Sequence, residues 1–194
     1  MDDKGKIKIS AIIVIGLLVA GYFVYTKAYL PNQSGVMVNP RMVVVYSDGT
    51  EETITPSLLL SVFYNSKPIV RIYTFWDITA TVAGQTGTVS YDYQAWAQIG
   101  AVKMHVVGPG TSDSGVTLGT THTLGYSSWV DSTEIQANVG AGTYTLSLAV
   151  SGTATSVIMG ETLTKAFSAE VTASITVQNN VLSISVAPKG IVSA

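Results

Sequence analysis

The sequence predicts an all-β domain carried on one N-terminal helix long enough to span a membrane. Three observations lead there. Ile9 to Thr26 is an 18-residue stretch without a charge, bracketed by Lys8 and Lys27. Between residues 68 and 178, apolar residues recur at every second position in runs separated by Gly, Pro, Asp and Ser, the period of a strand with one buried face. Charged residues make up only 11% of the chain, against about a quarter in ordinary globular domains. Ser, Thr, Gly, Val and Tyr take their place, a mixture suited to pleated sheets.

The apolar run comes first. At ~1.5 Å rise per residue it spans about 27 Å, close to the ~30 Å of a bilayer's hydrocarbon core. Ile9, Ile12, Ile13, Ile15, Leu17, Leu18, Val19 and Phe23 are the expected anchor residues. Lys8 and Lys27 flank them where ammonium groups reach lipid headgroups. Tyr22, Tyr25 and Tyr29 gather at the C-terminal end, where a ring sits half buried with its hydroxyl wet. Pro31 is expected to stop the helix. Lys4, Lys6 and Lys8 precede the run and Lys27 alone follows it closely, a bias that puts the N-terminus inside and the rest outside. A cleaved secretory signal needs a shorter apolar core and a small-x-small site, and Tyr22 to Leu30 offers none. A core helix would carry an amphipathic stripe, which this run lacks. Gly16 and Ala20 form a small-xxx-small pair of the kind that lets helices approach closely.

Lys4-Gly5 ahead of a hydrophobic helix and a β-rich domain is similar to the precursors of archaeal type IV pilins. That resemblance implies cleavage after Gly5 and packing of the exposed helix into a filament. Lys6 and Lys8 depart from the apolar or acidic residues the family favours there, and the glutamate of bacterial pilins is absent.

The predicted organisation is an interior tail over 1–8, a transmembrane helix over 9–30, a polar stalk over 31–40 and an outer domain over 41–194. Asn32-Gln33-Ser34 within the stalk is also an N-glycosylation sequon. Arg41 to Tyr46 is β-branched, and Asp48-Gly49 signals a type I′ hairpin turn with Glu51 to Thr55 returning. Ser57 to Tyr64 reads as a buried strand. Val70, Ile72, Thr74, Trp76, Ile78, Ala80 and Val82 alternate, and Gly84 to Gly87 turns the chain. Val89 to Ile99 holds Tyr91, Tyr93 and Trp96. Val102, Met104 and Val106 alternate up to Gly108-Pro109-Gly110, after which Thr111 to Gly115 reads as a loop. Val116 to Leu124 and Ser128 to Val139 are less regular. Gly142 to Val150 sends Tyr144, Leu146, Leu148 and Val150 to one face and ends at Ser151-Gly152. Phe167, Ala169, Val171, Ala173, Ile175 and Val177 form the closing strand.

Gly142-Thr143-Tyr144 opening an alternating strand, with one long strand after it, resembles the F and G strands of immunoglobulin-like and fibronectin type III-like β-sandwiches. The resemblance covers about 68–178 and implies that Tyr144 is a tyrosine corner whose hydroxyl bonds to an upstream backbone group. Trp76, Leu146 and Leu148 join it as fold landmarks. Leu146 stands where antibody domains carry a cysteine, and Gly140 where they often carry an aspartate. Outside this core lie two flanks, 41–64 and 181–187. In the second, Val181, Leu182, Ile184 and Val186 make a strand beyond the sandwich's needs. It is expected to pair either with Met42 to Tyr46 or with a neighbouring subunit.

Chemistry is sparse. The chain has no cysteine and two histidines, His105 and His122, neither with a second ligand at metal-binding spacing. No Gly-x-Ser-x-Gly elbow supports a triad. Asp77, beside Trp76, is a buried carboxylate with a raised pKa, an outward-facing residue, or one paired with Arg71. Asp48, Glu51 and Glu52 supply too few oxygens for calcium. Six basic residues against ten acidic ones after residue 30 leave a net −4 with the cations scattered, which argues against nucleic acid. The expectation is a non-enzymatic protein without cofactor or metal. Its partners would be the lipid bilayer and proteins, either capsid or envelope components or copies of itself, with glycan as another ligand class if Trp76, Trp96, Trp129 and the tyrosines form an aromatic face. An uncleaved anchor, no cysteine and a Thr/Ser/Val-rich sandwich also resemble small membrane and vertex-type virion proteins of archaeal viruses and archaeal surface proteins.

Overall fold

A computed structural model of the chain describes residues 18–20, 22, 30–54, 62–63, 68–178 and 181–186. They form a mostly-β protein of two antiparallel sheets. The strands are β1 (Ser34–Tyr46), β2 (Glu51–Ile54), β3 (Val62–Phe63), β4 (Ile69–Val82), β5 (Thr88–Ile99), β6 (Val102–Thr117), β7 (His122–Thr123), β8 (Ser128–Asp131), β9 (Gly142–Ile158), β10 (Glu161–Gln178) and β11 (Val181–Val186). The five-stranded sheet runs β2-β1-β4, with β7 and β8 both pairing β4; the six-stranded sheet runs β3-β11-β10-β9-β5-β6.

Period-two side chains from both sheets meet in one core. Val38, Met42, Ile72, Trp76 and Ile78 come from the first sheet; Tyr91, Leu146, Leu148 and Ile175 come from the second, and all are fully or almost fully buried. The Trp76 indole N–H donates to Ser128 Oγ at 3.0 Å, and Ser128 Oγ donates to the Ala149 carbonyl at 2.7 Å. This relay satisfies buried polar atoms while tying the two sheets together.

The predicted stalk is overturned. Ser34–Pro40 is the first half of β1, paired with Val82–Trp76 of β4, because Val36 and Val38 bury on alternate positions. Among the described residues β2 pairs only Met42–Val45, so β1 is an edge at Pro40 there, where a residue without an N–H is tolerated. Pro31 lies inside a short helical turn, Leu30–Asn32, and the predicted helix ahead of it falls mostly outside the described residues. Leu30 is fully buried in the sandwich core. Gln33 N–H donates to the Leu30 carbonyl at 3.0 Å, Ser34 Oγ to the Pro31 carbonyl at 2.8 Å, and Ala83 N–H to the Gln33 carbonyl at 3.1 Å. A clamped junction stands where a loose linker was expected.

The hairpin at Asp48-Gly49 forms, but with a different turn. Only Gly49 has positive φ, at 80°; Gly49 N–H donates to the Tyr46 carbonyl and Tyr46 N–H to the Thr50 carbonyl, each at 2.9 Å. This is the three-residue loop ending in a left-handed glycine. Asp48 Oδ1 stabilises it by accepting from Thr50 N–H at 3.0 Å. Val70 also departs from the expected face. A bulge shifts the β1–β4 register between Val45 and Tyr46, so Ile69 turns in and Val70 is 43% exposed.

Two predicted strand ends are strand interiors. β6 continues through Gly108-Pro109-Gly110, whose peptide at Pro109 is cis, and through the predicted loop 111–115. β9 continues through Ser151-Gly152 to Ile158. Gly152 serves close approach: a Cβ there would lie 2.3 Å from the Asp92 carbonyl oxygen of β5. The stretch read as strand after Asp131 is a helix, Ser132–Asn138, opened by a capping box between Asp131 and Glu134. β11 pairs with β10 on one side and β3 on the other. The predicted pairing with Met42 to Tyr46 gives way to this one, since that stretch pairs β2 and β4 instead. Of the predicted strand 57–64, only Val62–Phe63 falls within the described residues.

Candidate functional site

Antiparallel pairing gives the sandwich two ends. One, here called proximal, holds the Leu30 junction and three turns: Ala83–Gly87, Leu118–Thr121 and Met159-Gly160. The other, distal, holds the β1–β2 turn, the β5–β6 turn and the Ser132–Asn138 helix.

Towards the distal end the outer face of the five-stranded sheet carries an open cleft of about 720 Å³, lined by Glu51, Arg71, Tyr73, Phe75 and Trp129 among others. Alternation along β4 places Arg71, Tyr73 and Phe75 on this face because Ile72, Thr74 and Trp76 point inward. β8 brings Trp129 beside Tyr73. Arg71 lies over the Trp129 ring at 5.0 Å and is held by Asp131 through two hydrogen bonds of 2.7 and 3.2 Å. Arg41 lies over Phe75 at 5.1 Å, and Tyr73 meets Phe75 edge to face. Tyr73 donates to Glu51 at 3.3 Å; burial and the Glu51 charge both push its phenol up.

His105 also stacks on Trp129, its ring centroid 3.6 Å away, and its Nε2 is 2.7 Å from Glu134. His105 sits on a bulge between Ala95 and Ala97 of the β5–β6 ladder with φ of 49°. Such a backbone is uncommon for a non-glycine residue, and here it re-aims the imidazole at Trp129 and Glu134. Trp129 therefore contacts both a guanidinium and an imidazole.

A second polar cluster centres on Asp113, predicted as a lone loop acid and found inside β6. Its carboxylate accepts from Gly125 N–H at 3.0 Å, lies 3.0 Å from His122 Nε2 and 3.5 Å from the Tyr93 hydroxyl. His122 stacks parallel to Tyr91 at 6.0 Å. Burial, followed by the Asp113 charge, pushes the Tyr93 phenol up to about 12.

Asp77 pairs with Arg41 rather than Arg71: Arg41 Nε and Nη2 lie 2.5 and 3.1 Å from its oxygens. The hydrogen bond from Arg41 holds its carboxyl below the usual range, as befits a paired acid and not a buried carboxylate with a raised pKa. Glu52 accepts from Tyr46 at 2.8 Å, so the acids near Asp48 serve the hairpin. Among the described residues no group of three His, Asp or Glu side chains is placed to hold a metal. Each imidazole is taken up by a carboxylate and an aromatic ring, an arrangement that fixes structure.

The predicted fold landmarks lie close together. Trp76, Leu146 and Leu148 are fully buried, and Tyr144 donates to the Gly140 carbonyl at 3.1 Å. Trp96 lies apart from Trp76 and Trp129, under Lys103 at 3.9 Å. Of the anchor residues, Ile9, Ile12, Ile13, Ile15, Leu17 and Phe23 fall outside the described residues, as do Lys8, Gly16, Tyr25, Lys27 and Tyr29. Leu18, Val19, Ala20 and Tyr22 are helical and exposed, and the Tyr22 hydroxyl donates to the Met159 carbonyl. Among the described residues no helix is long and apolar enough to cross a membrane; the run that predicts one lies mostly outside them. The side chains of Val181, Leu182, Ile184 and Val186 fall outside them too.

Sequence reasoning missed the Arg71–Trp129–His105 stack. Asp131-x-x-Glu134 was the available signal, since a capping box starts a helix and so brings Glu134 back towards β8. Compared with protein-family models, with curated proteins and with solved structures, the chain gives no significant match.

Proposed function

We propose that this chain is a non-enzymatic structural protein: an immunoglobulin-like β-sandwich held outside a membrane by an N-terminal transmembrane helix, displayed on a virion or cell envelope and joined to a protein partner through its distal end. The observation that carries the reading is the Leu30 junction. Complete burial of Leu30 and the bonds around Gln33 and Ser34 make residue 30, the last of the predicted span, part of the domain.

The immunoglobulin-like assignment is supported by strand order. β1, β4 and β8 stand as A, B and E in one sheet, and β10, β9, β5 and β6 as G, F, C and C′ in the other. The Tyr144 bond to Gly140 supports it further. The large buried tryptophan sits on β4 rather than β5, and β2, β3 and β11 extend the sheets. Fold alone assigns no partner. A protein partner is favoured over glycan because Trp129 is already engaged by Arg71 and His105, and Trp96 by Lys103.

The same rigid junction favours a second reading, a pilin-like filament subunit. Alkaline carbonate extraction of native membranes, with intact-mass measurement of the chain, separates the two. Retention in the bilayer with a mass starting at Met1 is the expected result. A mature chain starting at Lys6 overturns it in favour of the filament, and release as a free soluble protein overturns both.

A further inference from the structure

The proximal end of the sandwich carries features that the anchor reading does not use. The β9–β10 hairpin closes on Met159-Gly160, between the paired residues Ile158 and Glu161. Both turn residues have positive φ, 53° and 78°, as a type I′ turn requires. Its first position ordinarily takes Asn, Asp or Gly, so an apolar Met159 there holds backbone strain at an exposed tip. Met159 is 53% exposed and Val157 64%. The neighbouring turns, Ala83–Gly87 and Leu118–Thr121, contain no charged residue, and Glu161 is the one acid at the hairpin's tip.

The Tyr22 hydroxyl donates to the Met159 carbonyl. Tyr22 stands four residues before the end of the uncharged run; with the helix that the sequence predicts, at ~1.5 Å per residue, that is about 6 Å inside its outer limit. Whatever depth Tyr22 takes, the hairpin tip shares. That depth falls within the roughly 5–10 Å of headgroup and acyl boundary where amphipathic segments settle. The bond also supplies a partner for a turn carbonyl that would be costly to bring out of water unpaired.

We infer that the β9–β10 hairpin tip is a second membrane contact: Val157 and Met159 insert shallowly into the lipid surface beside the helix, with Tyr22 joining the two. The inference rests on the membrane-anchor reading. With no basic residue in the three proximal turns, the insertion is apolar and does not select anionic lipid.

The test uses the full chain, whose lack of cysteine lets one introduced thiol carry an environment-sensitive fluorophore. Met159→Cys, Leu18→Cys and Ala101→Cys, the last at the exposed distal β5–β6 turn, are each labelled and reconstituted into phosphatidylcholine vesicles containing nitroxide-labelled lipid. Severalfold quenching at 159 and 18, with none at 101, is expected, and adding phosphatidylglycerol leaves it unchanged. A probe at 159 that behaves like 101 while 18 is quenched overturns the hairpin contact and leaves the anchor standing. A probe at 18 that also stays unquenched overturns the anchor reading and the contact with it. Quenching at 159 that requires phosphatidylglycerol overturns the apolar mechanism.

Discussion

At the proximal end the turns Ala83–Gly87, Leu118–Thr121 and Met159-Gly160 contain no charged residue, and Leu30 is sunk completely into the core. At the distal end Asp48, Glu51, Arg71, Lys103, Asp131 and Glu134 crowd the turns and the short helix. Arg71, Lys103 and His105 there rest on aromatic rings. The two ends solve different problems. Ion pairs and cation–π contacts hold side chains in place in water at modest gain, and they lose that value wherever charges must leave water. An end that meets lipid, as proposed for the proximal one, has to hold itself chiefly by apolar burial and backbone bonds. The contrast therefore makes separate demands on substitutions at each end.

The largest effect is expected at Leu30. Leu30→Ala removes a fully buried side chain where the chain enters the fold, costing about 3 kcal/mol and lowering the thermal midpoint by about 6–12 °C in a domain of this size. Circular dichroism melts of the full chain in detergent read it directly. A loss below about 1 kcal/mol would mean that the junction bears no load and that the two ends differ in charge only.

At the distal end, Asp131→Ala removes the N-terminal cap of the Ser132–Asn138 helix and the carboxylate that holds Arg71 over Trp129. The cap contributes about 1–2 kcal/mol, and the partly exposed ion pair adds little. Hydrogen exchange is the sharper measurement: the amides of 132–138 should exchange faster while those of Ile158–Glu161 keep their rate. Equal acceleration at both ends would show that they are one cooperative unit.

How much of this was legible depends on the range of the interaction that decides each residue. The alternation of Trp76, Ile78, Leu146, Leu148 and Ile175 is local, and it named the core faces correctly. Tyr144 carried its bond to Gly140 within four residues. Long-range pairing decided the rest. Ser34–Pro40 looked like a polar linker until Val36 and Val38 were matched against β4. Gly108-Pro109-Gly110 and Ser151-Gly152 looked like ends because glycine marks turns and close approaches alike, and only the neighbouring strand tells them apart. The stack of Arg71, Trp129 and His105 joins β4, β8 and a bulge in β6, which no single window contains. Asp77 found Arg41 across the sheet rather than Arg71 along its own strand.

Tyr93 lies between the ends, and its phenol tests whether the interior there is as closed as the proximal end. Its folded-state pKa is raised to about 12 from an ordinary value near 10. A raised pKa leaves stability intact below pH 10 and withdraws it as pH climbs through the folded value, because the unfolded chain loses the proton first. The expected loss is about 1 kcal/mol at pH 11 relative to Tyr93→Phe. Denaturant midpoints of the two proteins between about pH 9 and 12 supply the comparison. Parallel curves would mean that water reaches the hydroxyl.

The smallest effect belongs to Asp77, the charged residue of the five-stranded sheet nearest the proximal end among those described, and so the place where charge begins. Its pKa is held below the ordinary range chiefly by the Arg41 hydrogen bond. A depressed value means stability that is present above the ordinary carboxylate range and lost as pH falls through it. The Arg41 side chain is 40% exposed and Asp77 16%, so solvent screens the pair and the contribution stays below about 1 kcal/mol. Asp77→Asn should therefore shift the urea midpoint slightly at neutral pH and flatten its dependence at acid pH, with added salt shrinking the difference. A loss of several kcal/mol would instead place Asp77 in a low-dielectric setting. The uncharged character of the proximal end would then reach five residues further up β4 than the exposures indicate.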